Sequence, residues 1–466
     1  MTETQKNPQA KVLFYGDDFT GASDNAAQYA RHGLKTVLFF SDPGTDALRQ
    51  AAQRYDVVGV AGTARSLDTE AMRAELMPVL QNFRQLNVPL VQYKCCSTFD
   101  SSPDTGSLGE AILQMQACWP GSLIPVLAAT PEFGRYTMFG HHFARAGTAV
   151  YRLDRHPVMS RHPVTPMQES DLSAVLTQQG FTTEATADLR MLDHFANAPE
   201  AMATALMAHE SVVFDGYTQQ QLMTAAASLW HVSQQRQVCA MAAQGFAHGL
   251  GAWLRASGKL TTRQPVHQLA AVDRLLVLSG SCSSLSAEQI AWARQAGFLT
   301  LRADTALLAG DDTAALDALL ARVLEALNSA TSVVVFTAEG PDDARAQTAN
   351  LPNQSLSAQG LRATEMARRI GRVFARLARE AFAQAGLERL VVSGGDSSSF
   401  TMRDIGARAL EIKASHFVQN AHVCGLLSDD ALIHNKEVLL KGGQVGQANL
   451  YGLMLKGFSD SDNGTR

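Results

Sequence analysis

What most narrows the folds open to this chain is an alternation. A short apolar run gives way to small polar residues and then to a stretch of helical composition, again and again. Residues 11–15 (KVLFY) lead into 16–24 (GDDFTGASD), 25–32 are helical in composition, and 36–40 (TVLFF) close the cycle. The cycle continues through 57–61 and 90–93, with a mostly helical 69–86 between them, and 211–215 (SVVFD) reads as a late strand of the same domain. Apolar runs of this length bounded by turn signals are strands, and strands spaced by helices pair in parallel. Each small polar segment is then predicted to be the turn from a strand into the next helix.

Near residues 254–268 (LRASGKLTTRQPVHQ) the pattern breaks into polar, basic residues interrupted by Gly and Pro. We read 254–270 as a linker between a first domain, 1–253, and a second, 271–466. Beyond it the alternation restarts with a strand at 274–278, an SGSCSS loop and a helix at 287–296. Strands follow at 298–302 and 333–337 around the alanine-rich helix 313–327. A long helix at 361–385 then precedes the strand 390–393 and its GGDSSS turn. A chain of 466 residues exceeds what one core usually supports. The expected fold class is α/β: two domains, each a mainly parallel sheet flanked by helices, with the active site in the interdomain cleft.

The 39 Lys and Arg against 44 Asp and Glu leave a net charge of −5. No basic field is present to hold nucleic acid or an anionic membrane. No run approaches the ~20 apolar residues of a membrane helix, and the opening MTETQKNPQA lacks the apolar stretch of a signal peptide. The expected compartment is the cytoplasm. Its reducing conditions suit six cysteines, Cys95, Cys96, Cys118, Cys239, Cys282 and Cys424, which form no CxxC pair and have no histidines at zinc spacing.

Ligands of open parallel sheets bind beyond the carboxyl ends of the strands, so the polar segments there are the candidate sites. After the first strand stand Asp17 and Asp18. One of two adjacent carboxylates can act as general base while the other orients a hydroxyl, and an Asp there would also cap the next helix. After 57–61 comes Gly62-Thr63-Ala64-Arg65-Ser66, whose arginine fork suits a carboxylate or simply solvent. After 90–93 comes YKCCSTFDSS, residues 93–102, with Lys94 beside several hydroxyls. That set suits a polyhydroxy carboxylate and equally an ordinary Ser/Asp turn. Residues 161–167 (RHPVTPM) form a loop fixed by two prolines, where His162 is either a substrate contact or structural. In the second domain 278–283 (LSGSCS) and 392–398 (VSGGDSS) each follow a strand and precede a helix, and 441–446 reads KGGQVG. Together they predict backbone amides arranged for phosphate. No GxxxxGK[ST] motif is present and no complete GxGxxG follows a strand, which disfavours a P-loop enzyme and a dinucleotide-dependent dehydrogenase.

Taken in order, these segments resemble the four-carbon acid sugar kinase family, whose members join an N-terminal sugar-acid domain to a C-terminal nucleotide domain. The likeness spans nearly the whole chain. GDDFTGASD is similar to the family's DDFTGA motif, which implies catalytic or substrate roles for Asp17, Asp18 and Thr20. TARS implies substrate contacts by Arg65 and Ser66. YKCCSTFDSS resembles the version in the 3-oxo-tetronate kinase branch and implies roles for Lys94, Ser97 and Asp100, while HPVTPM implies one for His162. SGSCS and SGGDSS resemble the two nucleotide loops and imply ATP contacts at Ser279, Ser281, Ser283, Gly394, Gly395 and Asp396. KGGQVG stands where the family has a KSGNFG-like segment, adding Gly442, Gly443 and Gly446.

The resemblance implies transfer of the γ-phosphoryl group of ATP, with Mg²⁺, to a terminal hydroxyl of a four-carbon sugar acid such as 3-oxo-tetronate, threonate or erythronate. Arg65 and Lys94 would hold the carboxylate, and Asp17 or Asp18 would take or orient the hydroxyl proton. No metal ligand is readable, since Mg²⁺ leans on phosphates and water. A homodimer is the expected assembly. Departures from the family stand at Ala242-Ala243-Gln244-Gly245, where a GGSG-like turn is usual, at 422–427 (HVCGLL) and at 446–452 (GQANLYG). They leave two other readings open: a non-catalytic sugar-acid-binding relative, and an aldolase-type enzyme with Lys94 as Schiff base.

Overall fold

The computed structural model describes residues 10–162, 164–260, 268–303, 313–343, 356–416 and 421–459. The chain divides into two compact units, Met1–Pro265 and Val266–Arg466. The helix Gln244–Ala256 runs through the first residues read as linker, and 261–267 lie outside the described residues.

The first unit carries β1 (Val12–Gly16), β2 (Thr36–Phe39), β3 (Val57–Ala61), β4 (Leu90–Lys94), β5 (Ile124–Leu127), β6 (Arg135–Met138), β7 (His141–Ala146), β8 (Ala149–Arg152), β9 (Ala185–Ala187), β10 (Ser211–Phe214) and β11 (Val238–Ala242). Its main sheet has the order β2-β3-β1-β4-β11-β5-β10-β9, and each neighbouring pair is parallel. Strands β1, β3, β4 and β11 are buried throughout, as parallel strands covered on both faces must be. Gly59 in β3 makes room for a ring: a Cβ there would lie 2.2 Å from Phe14 Cζ. Strands β6, β7 and β8 form a separate antiparallel sheet.

Residues 16–24 are not a turn. The helix Phe19–Arg31 begins inside them, with Asp18 as its N-cap. Small residues at Gly21, Ala22 and Ser23 allow that helix to close on the sheet, where buried Gln92 of β4 accepts from Asn25 Nδ2 at 3.1 Å and from the Tyr29 hydroxyl at 2.9 Å. The apolar runs IPVL of β5 and VCAMA of β11 are not among the strands read from the sequence, yet both lie inside the sheet.

The second unit carries β12 (Leu276–Ser279), β13 (Leu299–Arg302), β14 (Val333–Phe336), β15 (Arg389–Ser393), β16 (Ala409–His416), β17 (Ala421–Leu427) and β18 (Glu437–Lys441). The order is β13-β14-β12-β15-β18-β17-β16. The pairs from β13 to β18 are parallel, and β17 runs antiparallel to both β18 and β16. The divergent segment 422–427 lies in β17, where Val423, Cys424 and Leu426 are core residues. At the amino end of β15, Arg389 is 1% exposed. It binds Glu437 Oε2 through Nε at 2.8 Å and the carbonyl of Ala270 through Nη2 at 2.8 Å.

Candidate active site

Because the first sheet is parallel, β1, β3, β4, β11 and β5 all end at one edge. Main-chain bonds continue the ladder past the strands. Asp17 N donates to Lys94 O at 3.1 Å, Gly62 N to Gly16 O at 2.8 Å and Arg65 N to Asp17 O at 3.1 Å. Cys95 N donates to Ala242 O at 3.2 Å and Ala243 N to Leu127 O at 2.9 Å. The loops that follow these strands are therefore fixed side by side.

Asp17 and Asp18 divide the two roles that their position allows. Asp18 accepts from Gly21 N at 2.5 Å, as a helix cap, and from Arg65 Nη1 at 3.1 Å. Asp17 is 3% exposed, and its Oδ1 is buried with no hydrogen-bond partner among the described residues. Burial chiefly, with the neighbouring charge of Asp18, pushes the Asp17 carboxyl up to about 7, against the pull of Lys94 and Arg65. A carboxyl poised near neutrality is suited to proton transfer. Asp24, on the same helix, is partly exposed, yet burial of its carboxyl group likewise lifts it to about 7, with Lys94 opposing. The sequence reading passed over Asp24, although its place one helical turn beyond Thr20 and Gly21 put it on their face.

Lys94 is 1% exposed. Burial works against its ammonium, but Asp17 and Asp18 more than reverse this, so its pKa is raised. Gly21 admits the ammonium: a Cβ there would lie 2.7 Å from Lys94 Nζ. An imine-forming lysine needs the opposite shift, toward the free amine, which counts against the aldolase reading.

Arg65 is already committed. Its Nη1 bonds Asp18 and its Nη2 bonds Asp100 Oδ2 at 2.6 Å. Burial opposes its charge, and the surrounding acids, Asp100, Asp17 and Asp18 among them, raise its pKa all the same. Asp100 is held in turn by the Thr98 hydroxyl. Burial alone would lift Asp100, but Arg65 and Thr98 bring it below the usual carboxylate range. Ser66 is exposed and donates to Thr63 O at 3.0 Å, closing its own turn. Thr20 is partly buried on the first turn of the Phe19–Arg31 helix. Ser97 is buried, and its carbonyl accepts from His142 Nε2 at 2.8 Å. His162 accepts from Thr165 N at Nδ1, 3.1 Å away, which leaves Nε2 as the protonated nitrogen.

Two further side chains were missed. His142 is fully buried, and burial holds it down at about 4, so it is neutral while bonded to the Ser97 carbonyl. Glu75 accepts from Thr63 N and Thr63 Oγ1, both at 2.6 Å, and fixes the loop that carries Arg65. His142 lies 45 residues from Ser97, Glu75 lies 12 from Thr63 on the following helix, and no local motif marks either.

In the second unit the ends of β12, β15 and β18 meet in the same way. Gly280 N donates to Ser393 O at 2.8 Å and Gly394 N to Lys441 O at 2.9 Å. Ser283 caps the helix Ser284–Gln295 and donates to Gly443 O at 2.5 Å. Ser281 Oγ donates to Ser283 Oγ at 3.3 Å. Gly443 is packed against both hydroxyls, since a Cβ there would lie 2.6 Å from Ser281 Oγ. Gly394 has φ +117 and precedes the helix Gly395–Ile405. Gly442 is partly buried, and Gly446 takes φ +88 in a loop held by Gln289, whose Nε2 donates to Val445 O at 3.1 Å. The side chain of Asp396 lies outside the described residues.

Lys441 was not singled out by sequence. It is 2% exposed, its Nζ donates to Ser393 Oγ at 2.9 Å, and burial lowers its pKa to about 8. Ser279 Oγ is buried and the Tyr451 hydroxyl approaches it, but neither closes a well-formed bond. A lysine, a set of hydroxyls, tight glycine turns and two helix N-termini fit the phosphates of a nucleotide. Among the described residues no group of three or more His, Cys, Asp or Glu is placed to hold a metal ion. No helix among them is long and apolar enough to cross a membrane.

Two domain-family models match the chain. Residues 12–250 match the model of a sugar-binding N-terminal domain, and 276–450 match that of a nucleotide-binding C-terminal domain. The chain is 35% identical over 448 residues to 3-oxo-isoapionate kinase of Paraburkholderia graminis, covering 96% of this chain and 94% of that one. It is 29% identical to 3-oxo-tetronate kinase of Cupriavidus necator, covering 85% and 87%. A crystal structure from Haemophilus influenzae superimposes with a TM-score of 0.73 at 20% identity, over 95% of this chain and all of the other. With both domain models matched in order and a relative of this similarity along nearly its full length, the chain belongs to the four-carbon acid sugar kinase family, a family of phosphotransferases.

Proposed function

We propose that the chain transfers the γ-phosphoryl group of ATP to a hydroxyl of a 3-oxo sugar acid, of the 3-oxo-isoapionate or 3-oxo-tetronate type. The observation that carries this reading is Asp17, a buried carboxyl raised to about 7 with an unpartnered oxygen at the sheet edge. The substrate hydroxyl loses its proton to Asp17 as its oxygen bonds the γ-phosphorus. The bond from that phosphorus to the bridging oxygen breaks, and ADP leaves. Asp18 is the poorer base, because it is already spent on the helix cap and on Arg65. Lys94, charged and enclosed, offsets the negative charge that gathers as the hydroxyl is activated.

The hydroxyls and amides around Lys441 would receive the nucleotide phosphates. Mg²⁺ would supply further charge neutralisation on those phosphates. The cytoplasm is the compartment proposed for this chemistry, and a homodimer its assembly. The division of labour between residues 1–253 and 271–466 is part of the same proposal.

An ADP-release assay with Mg-ATP tests the reading across 3-oxo-isoapionate, 3-oxo-tetronates, threonate and erythronate. Turnover with one of them, abolished in Asp17→Asn, is the expected result. ATP binding with no turnover on any acid would instead favour the non-catalytic relative.

A further inference from the structure

The carboxylate of a sugar acid needs a cation with free valence, and Arg65 does not supply one. Both ends of its fork are taken by Asp18 and Asp100. Lys94 lies among Asp17, Asp18 and Asp24, so its charge is likewise answered. A different arginine is not answered.

Arg135 begins β6, beyond the end of β5. Its backbone is clamped to Thr130 by Thr130 N to Arg135 O at 2.9 Å and Arg135 N to Thr130 O at 3.1 Å. Thr130 in turn accepts at Oγ1 from Gly245 N at 3.2 Å, just past β11. Arg135 thus sits at the carboxyl edge that carries Asp17 and Lys94, on the far side of β4 and β11.

Alternation along β6 places Arg135 and Thr137 on one face. Thr137 Oγ1 is 3.0 Å from His142 Nδ1, and His142 Nε2 donates to the Ser97 carbonyl. That face is therefore the one packed on the loop after Lys94. Cys96 of this loop lies near Arg135 on one side and near Arg65, Lys94, Asp18 and Asp100 on the other.

The hydrogen bonds of Arg135 run to main-chain carbonyls: Nη1 donates to Phe133 O at 2.7 Å and to Gly134 O at 3.5 Å. Its Nε is buried with no acceptor. The acid nearest in sequence, Glu132, is taken by Arg31 at 2.7 Å. Burial, together with the neighbouring charge of Arg145, works against the Arg135 cation, and no carboxylate is among the groups acting on it. A half-buried guanidinium with a spare donor and no carboxylate partner among the described residues is an incomplete site, and an anion completes it. Gln244, the chain neighbour of the Gly245 that donates to Thr130, opens the helix after β11, and its Oε1 is buried without a donor among the described residues.

We propose that Arg135 receives the carboxylate of the sugar acid, with Gln244 accepting from one of its hydroxyls, while the hydroxyl to be phosphorylated reaches Asp17. Three interstrand spacings separate the ends of β1 and β5, about 14 Å in all. A short aspartate, a long arginine and a small acid lying between them fill that span. The Gln244 contact also gives the divergent Ala242-Ala243-Gln244-Gly245 segment a purpose, as a reader of substrate hydroxyls. This inference rests on the kinase reading above and names the group that selects its substrate class.

The test compares the acid with its carboxamide, in wild type and in Arg135→Ala and Arg135→Lys variants of the full chain. Equilibrium binding of each compound is measured by calorimetry, alongside kcat and KM. The wild type is expected to favour the acid over the amide by on the order of 100-fold or more. Arg135→Ala should lose most of that ratio through KM for the acid, leaving KM for ATP unchanged. Arg135→Lys should keep part of it, since an ammonium lacks the two-pronged fork. A ratio unchanged in Arg135→Ala overturns the proposal, and because it is a ratio a partly misfolded sample does not imitate that result. Acid binding that depends on Arg135 without ADP release would sink the kinase reading and leave this one standing.

Discussion

Arg65 and Asp100 are joined through Nη2 and Oδ2 at 2.6 Å, and the two ends of this pair live in different surroundings. The Arg65 side chain is 32% exposed and that of Asp100 is 0% exposed. The arginine is the wet end, and it ties the loop after β3 to the loop after β4.

Removing the wet end should therefore cost more than removing the dry one, because it strands the Asp100 carboxylate in the interior. Arg65→Met is expected to destabilise the protein by about 3 kcal/mol, the toll of leaving one partner of an enclosed pair alone, and Asp100→Asn by less. Urea denaturation measures it. The folded Asp100 lies below its unfolded pKa, so its contribution is present above the unfolded value near 4 and lost as pH falls through the folded one. In Asp100→Asn that acid-side decline should flatten.

Asp17 has the opposite sign. Its folded pKa of about 7 stands above the unfolded value, so the stability it gives is full below pH ~4 and is lost as pH rises toward 7. Asp17→Asn should accordingly melt higher than wild type at pH 8. It should also lose kcat by on the order of 10²–10⁴, the usual share of a general base. In wild type, kcat/KM for the sugar acid should rise through pH 7. A variant that keeps its rate would remove the base assignment.

Lys441 offers a second exchange of stability for function. Burial brings its folded pKa down to about 8, below the unfolded value. The unfolded chain then binds the extra proton between about pH 8 and 10.5, and stability rises with pH across that window. Lys441→Met should abolish this rise and melt higher at pH 7. Its KM for ATP should increase at least tenfold, with KM for the sugar acid nearly unmoved. Equal changes in both constants would detach Lys441 from the nucleotide.

Gly394 holds φ +117, where a side chain is strained, and a Cβ there would lie 3.2 Å from the carbonyl carbon of Gly280. Gly394→Ala should lose about 1–3 kcal/mol of stability. It should weaken ATP binding more than sugar-acid binding, and fluorescence titration with a nucleotide analogue reads the difference.

Much of the edge architecture was legible because strand, turn and helix succeed one another in the chain. Asp17, Arg65 and Lys94 each stand at or just past the carboxyl end of a strand, so parallel pairing brings them to one edge. Two kinds of feature were not legible. Arg135, His142 and Glu75 reach the site from elements whose partners are set by tertiary packing. The commitment of Arg65 to Asp18 and Asp100 was hidden for a different reason: a motif shows that an arginine is there, but not that its valences are already used. The Phe19–Arg31 helix was started too late because its first turn is small and polar, which reads as a turn until Asp18 is recognised as a cap.

The place of β11 in the sheet has a consequence for biosynthesis. It is the last strand of its unit to leave the ribosome, yet it lies between β4 and β5. Translation of the roughly 230 residues from β1 to β11 takes on the order of tens of seconds at typical rates. From the synthesis of each until β11 follows, β4 and β5 keep one edge open, a template for pairing with the wrong chain. The same holds for β18, which closes the gap between β15 and β17 only near the end of the chain. Each unit thus completes its centre last, and a nascent chain stalled before either strand is a substrate for chaperones.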